Sequence, residues 1–96
     1  MAKLNLKKPI KVDGEEISVI EYDLDELTGE DIQQVTTELS KKGIIVTTIE
    51  LDSNYHAAIF AKAAGLMLED LNRLSAKDYA KATTLVRDFF LIDTEE

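Results

Sequence analysis

The chain has no cysteine, one proline, one histidine and four glycines among its 96 residues. Without cysteine there can be no disulfide staple and no thiolate metal site. The glycines are scattered and form no phosphate-cradling pattern. His56 would have to act alone as a base, and no nucleophile-elbow motif such as G-x-S-x-G accompanies it. A lone histidine on a helix is more often a surface or core residue than a catalyst. Basic residues are also scarce: 11 Lys and Arg stand against 19 Asp and Glu, for a formal net charge of −8. Binding to a nucleic-acid backbone needs clustered Lys and Arg to displace counterions, so this balance argues against it and suits a basic partner instead. No run approaches the ~20 apolar residues of a membrane span. The opening "MAKLNLKKPIKVDG" carries lysines but no long apolar core, so it does not read as a signal peptide, and the composition reads as a soluble cytoplasmic protein.

What is present is a globular composition, with 45% hydrophobic residues. The length allows one domain, residues 1–96, whose folding buries only about 60–65% of the surface the unfolded chain exposes. Partners or self-assembly would help so modest a core. The pattern predicts an α+β fold: an N-terminal β-hairpin packed with three α-helices, with 44–51 as a third short strand or an extended linker.

Leu4, Leu6, Ile10 and Val12 share one parity, as in a half-buried strand. Lys8 interrupts that face, and Pro9 cannot donate to a ladder, so a kink or bulge is expected there on an edge strand. Asp13-Gly14 is a favoured hairpin turn. On the return strand, roughly Glu16 to Leu24, the apolar parity changes from Ile17 and Val19 to Ile20, Tyr22 and Leu24. A bulge between Val19 and Ile20, or partial cover on both faces, would reconcile the two sets.

Thr28 with Asp31 three residues on resembles a capping box, and Ile32, Val35, Thr36 and Leu39 follow at helical spacing. Lys41 and Lys42 suit the negative end of that helix, and Gly43 suits its C′ position. Asp52 to Asn54 begins a second, alanine-rich helix that is apolar nearly all round and therefore central. Gly65 ends it, and "LMLEDLNRL" reads as one short helical turn between loops. Ser75 caps the last helix with Asp78 at the capping-box position, and Tyr79, Ala82, Leu85, Val86 and Phe89 mark its inner row. The tail "DTEE" is expected to fray.

Candidate chemistry is thin. Glu15-Glu16 and Asp23-Asp25-Glu26 are carboxylate clusters, yet "DLDELTGE" lacks the third ligand and the placed glycine of a calcium loop. We assign no catalytic, cofactor-binding or metal-binding residue. Lys3, Lys7, Lys8 and Lys11 form a basic stripe that could touch nucleic acid or an acidic partner but more simply blunts an exposed strand edge. Apolar side chains near the glycine turn and the C-terminal aromatics exceed what one small core can hold. Leu66, Met67, Leu68, Leu71, Phe89, Phe90 and Leu91 are therefore the candidate partner-binding residues, methionine adding adaptability.

The sequence also resembles a family. "KKPI", the "DGEEI" turn and "LTGEDI" precede "AAGL" at Ala63–Leu66, "LNRLSAKDY" at Leu71–Tyr79 and "VRDFF" at Val86–Phe90. In this order they look like the small tail assembly chaperones of long-tailed bacteriophages and prophages, the family with Mu-like and P2-like members. The resemblance implies a non-enzymatic protein of the host cytoplasm, without cofactors. It implies binding to the long, aggregation-prone tape measure protein, with the tail tube protein as a second candidate partner and self-association as a further expectation. It also implies a short form, or the shared N-terminal part, of a pair made by ribosomal frameshifting. The alternatives are a small acidic regulator of the antitoxin or DNA-mimic type, motivated by the net charge, and a metal-dependent enzyme built on the acids of 23–30.

Overall fold

The computed structural model describes residues 2–44 and 52–92, with the side chain of residue 92 left aside. It begins with an antiparallel hairpin of β1 (Ala2–Val12) and β2 (Glu15–Tyr22). Asp13 and Gly14 turn the corner with φ of 53° and 85°. Positive φ at both central residues is what a type I′ turn demands, which is why Asp-Gly occupies the site. A single 3-10 turn (Leu24–Glu26) leads to α1 (Gly29–Lys41), α2 (Ser53–Ala64), the one-turn helix α3 (Leu68–Leu71) and α4 (Ala76–Ile92). The expected α+β class holds, with the short turn at 68–71 as a fourth, minor helix. The proposed third strand at 44–51 lies almost wholly outside the described residues.

The bulge sits on β1. Asn5 pairs with Val19 and Ile10 with Ile17, so Leu6, Lys7, Lys8 and Pro9 stand against Ser18 alone. The expected irregularity at Lys8 and Pro9 is there, whereas the one expected between Val19 and Ile20 is not, because those residues pair in regular register with Asn5 and Leu4. The physical reason lies in the count. Four residues against one is an odd excess, so Leu4 and Ile10, of one parity, meet Ile20 and Ile17, of opposite parities. The parity change seen along β2 is thus matched by an insertion in its partner.

The helix termini follow their local chemistry. Thr28 and Asp31 form a complete capping box, with Thr28 N–H donating to Asp31 Oδ2 at 2.9 Å and Asp31 N–H to Thr28 Oγ1 at 3.3 Å. Asp52 caps α2 through Oδ1, which accepts from Asn54 N–H at 2.8 Å and Tyr55 N–H at 3.2 Å.

α2 is the hub. It touches α1, α3, α4, β2 and the 3-10 turn. Tyr55, Ala57, Ile59, Phe60 and Ala61 are all buried, and Asp23 N–H reaches the Ala63 carbonyl at 3.2 Å to tie the end of the hairpin to it. Val35 and Leu39 of α1, Ile20 and Tyr22 of β2, and Ala82 and Val86 of α4 complete one hydrophobic cluster. The inner row of α4 differs from expectation by one residue. Asp78, Ala82 and Val86 are fully buried, and Phe90, not Phe89, continues the line against the core. A strict i, i+4 ridge through position 78 selects 90, and position 78 is held by a contact that the helix pattern alone does not reveal.

That contact is a clip between α4 and the bulge. The Asp78 carboxylate accepts from Lys7 N–H at 3.1 and 2.9 Å and from Lys8 N–H at 3.2 Å. The bulge frees these two donors from the ladder, and Asp78 satisfies them. The capping-box expectation for Ser75 is met on one side: Ser75 Oγ accepts from Asp78 N–H at 3.2 Å, while the carboxylate serves the strand.

Candidate docking surface

Leu66, Met67 and Leu68 owe their placement to the end of α2. Gly65 has φ 70°, its N–H donates to the Lys62 carbonyl at 3.3 Å, and Leu66 N–H donates to the Ala61 carbonyl at 2.8 Å. This bonding pair is a Schellman motif, and only a residue without Cβ enters it without strain. The motif turns Leu66 onto the core and throws the next residue outward. Met67 is 67% exposed, the most exposed large apolar side chain among the described residues. Its backbone is nonetheless pinned, because Met67 N–H donates to Asp70 Oδ2 at 3.0 Å and Asp70 N–H returns to the Met67 carbonyl at 2.9 Å. Asp70 is itself buried and takes an Arg73 guanidinium nitrogen at its other oxygen, while Arg73 also reaches the Lys11 carbonyl at 3.1 Å. A flexible side chain on a fixed backbone suits adaptable apolar contact.

Beside Met67 lies a cleft of about 170 Å³ between α1, α2 and α3. Val35, Leu39, Ala58 and Ala61 make its apolar floor, and Leu66 and Leu68 its wall. The alanines matter here, since larger residues would fill the cleft. Lys42 and Glu69 form an ion pair across its mouth, and Lys62 Nζ donates to Gln34 Oε1 at 2.6 Å. The hydrogen bond and charge of Glu69 raise the Lys42 pKa, and those of Lys42 lower that of Glu69. Both groups are exposed, so the pair contributes little to stability and can open.

The other expected contact residues lie elsewhere. Leu71 is fully buried and presents no surface. Phe90 packs its ring 6.3 Å from that of Tyr55 at the start of α2, and Phe89 meets Phe90 at 5.3 Å edge to face. Leu91 is 48% exposed beside them. Tyr55 and Leu66 are eleven residues apart along α2 and its cap, or about 16 Å of helical rise. The single patch expected from sequence is therefore two, one at each end of the central helix.

Of the acidic stretch that begins at Asp23, two side chains have local structural roles. Asp23 Oδ1 accepts from Asp25 N–H at 3.2 Å, and Asp31 serves the capping box. Among the described residues no group of three His, Asp or Glu side chains could hold a metal ion, and no helix is long and apolar enough to cross a membrane.

His56 is 3% exposed, and its Nε2 has no hydrogen-bond partner. Burial and the nearby Arg87 lower its pKa below the usual 6.5, while Asp52 opposes them. The unfolded histidine thus takes up a proton at a higher pH than the folded one. Stability is fully present above about pH 6.5 and falls on acidification toward the folded pKa. Substituting leucine removes both the titration and the unmet nitrogen. His56→Leu is expected to hold its unfolding free energy level between pH 7 and 5.5, where the parent loses stability in chemical denaturation. An equal slope in both proteins would refute this assignment.

A protein-family model described as phage tail assembly chaperone proteins, E, or 41 or 14, matches residues 3–91. No curated protein matches the chain, and neither does any solved structure.

Proposed function

Because the chain belongs to the phage tail assembly chaperone family, a membership that implies a non-enzymatic role, we propose that it binds the tape measure protein in the host cytoplasm and supports tail tube assembly around it. Helical stretches of the client dock on Met67, Leu68 and the cleft they border, and Phe89, Phe90 and Leu91 supply a second contact at the far end of α2. The observation that carries this reading is Met67, held 67% exposed on a pinned backbone beside an apolar cleft.

The physics suits a temporary holder. An amphipathic client helix laid in an apolar groove hides the face through which it would otherwise aggregate. Each contact is small and therefore releasable, while many copies along one long client add avidity. The net charge of −8 keeps the covered complex soluble.

The test is association of the purified chain with the tape measure protein of the same phage, measured by light scattering and by anisotropy with labelled client fragments. Met67→Asp is expected to weaken binding about tenfold or more, since it desolvates a charge against an apolar partner. It should leave the melting temperature unchanged, because an exposed side chain adds little to the core. The reading fails if no association occurs at micromolar concentration, or if Met67→Asp binds as well as the parent.

A further inference from the structure

We propose that the groove between β1 and the N-terminal half of α4 is a second docking site, and that its occupant is an acidic amphipathic helix of another protein. The groove has a volume of about 590 Å³. Leu85, Ala80, Leu4 and Tyr22 form its apolar floor. Lys3 and Lys7 stand on one rim and Lys77 and Lys81 on the other, all four exposed. No acidic residue lines it. In a chain of net charge −8, four of the 11 basic residues thus converge on one apolar trough.

The convergence comes from the fold. The Asp78 clip holds β1 against α4 at the bulge, and this places the strand lysines opposite the helix lysines. The clip also turns the Asp78 carboxylate inward, where it is fully buried against the Lys7 and Lys8 N–H groups and does not face a guest. The charge pattern selects the guest. Lys77 and Lys81 are four residues apart on one helix, about 6 Å of rise, so carboxylates at i and i+4 on a helix lying alongside would meet both. The apolar stripe of that guest would cover Leu85 and Ala80. A basic or neutral helix would bring no counter-charge to this rim, where Lys3 has only a long, exposed ion pair with Glu21 at 3.9 Å. This site stands on different residues from the Met67 cleft and does not depend on the identity of that client.

The probe is a synthetic amphipathic helix with leucines on one face and flanking glutamates, set against the same peptide with lysines in place of the glutamates. Both are titrated into the isotope-labelled chain and followed by NMR. The glutamate peptide is expected to shift the amides of Leu4, Ala80, Thr84 and Leu85, to bind more weakly as salt is added, and to lose about tenfold in affinity to Lys3→Glu/Lys77→Glu. That pair avoids Lys81, whose charge also favours the ionised Asp78. An unchanged melting temperature and unchanged tape measure binding in the double variant would show an intact fold and an intact first surface.

The proposal is overturned if neither peptide binds at millimolar concentration, or if both bind equally. It is also overturned if the shifts fall at Leu66–Glu69. Concentration-dependent self-association that Lys3→Glu/Lys77→Glu abolishes would assign the groove to a second copy of this chain and overturn the foreign partner.

Discussion

Asp78→Ala is expected to lower the unfolding free energy by about 3 kcal/mol, roughly a 12–24 °C fall in melting temperature for a domain of this size. The carboxylate is fully buried and accepts from two backbone donors that the bulge has removed from the ladder. Deleting it loses charge-assisted bonds and leaves Lys7 and Lys8 N–H without their acceptor. Asp78→Asn keeps the shape but offers one oxygen where two were used, and should fall between parent and Ala. Urea denaturation of all three proteins measures this. A loss below about 1 kcal/mol for Asp78→Ala would mean that water satisfies the bulge equally well.

The same clip sets an acid limit. Burial alone would raise the Asp78 pKa, but Lys7 and Lys8 N–H, the Ser75 side chain and the charge of Lys81 together hold it below its usual 3.8. The folded state therefore releases this proton more readily than the unfolded state does. The stabilisation is present above the ordinary carboxylate range and is lost as pH falls through 3.8 toward the folded value. Below about pH 4.5, Asp78→Ala should lose less stability on acidification than the parent. This leg is distinct from the one near pH 6.5 that belongs to His56.

Phe60→Ala is expected to cost about 3–5 kcal/mol. Phe60 is fully exclusive of solvent at the middle of α2, with its ring 4.9 Å from that of Tyr22. Its removal opens a cavity where the hairpin meets the central helix, and the nearby Ala57 and Ala61 of α2 are too small to fill it. Set against the total of about 5–15 kcal/mol that a domain commands, the variant would be near the edge of folding at 37 °C. Its urea midpoint should fall with little change in slope. Phe89→Ala is the control: Phe89 lies outside the core cluster and should cost less than half as much. Equal losses for the two phenylalanines would refute the assigned phase of α4.

Much of the fold was legible because its signals are local. Asp13-Gly14 needs only its own φ angles, Thr28 with Asp31 and Asp52 with Tyr55 act within one turn, and Gly65 answers to the carbonyls just behind it. The family, too, was readable from short structural motifs, since caps and turns recur wherever the same helices must end in the same places. Met67 was legible only as one of several surplus apolar residues, and its exposure was fixed by how the cap of α2 meets the core.

Other features depend on partners far along the chain. Asp78 looked like a cap, and its bonds run across some seventy residues to the strand. The bulge was inferred partly on the wrong strand, because parity records a mismatch between two strands without saying which carries the insertion. The leftover apolar residues formed one set in sequence and two patches in space, because α2 stands between them as a rigid spacer.

By itself, then, the order of residues determined where the chain turns and where most of its helices are capped, since those choices are made by neighbours within about one helical turn or one hairpin. Only the tertiary structure decided which lysines share a groove, which phenylalanine faces inward and what Asp78 holds. Those outcomes depend on distances between segments, and such distances come into being only when the core around Phe60 closes.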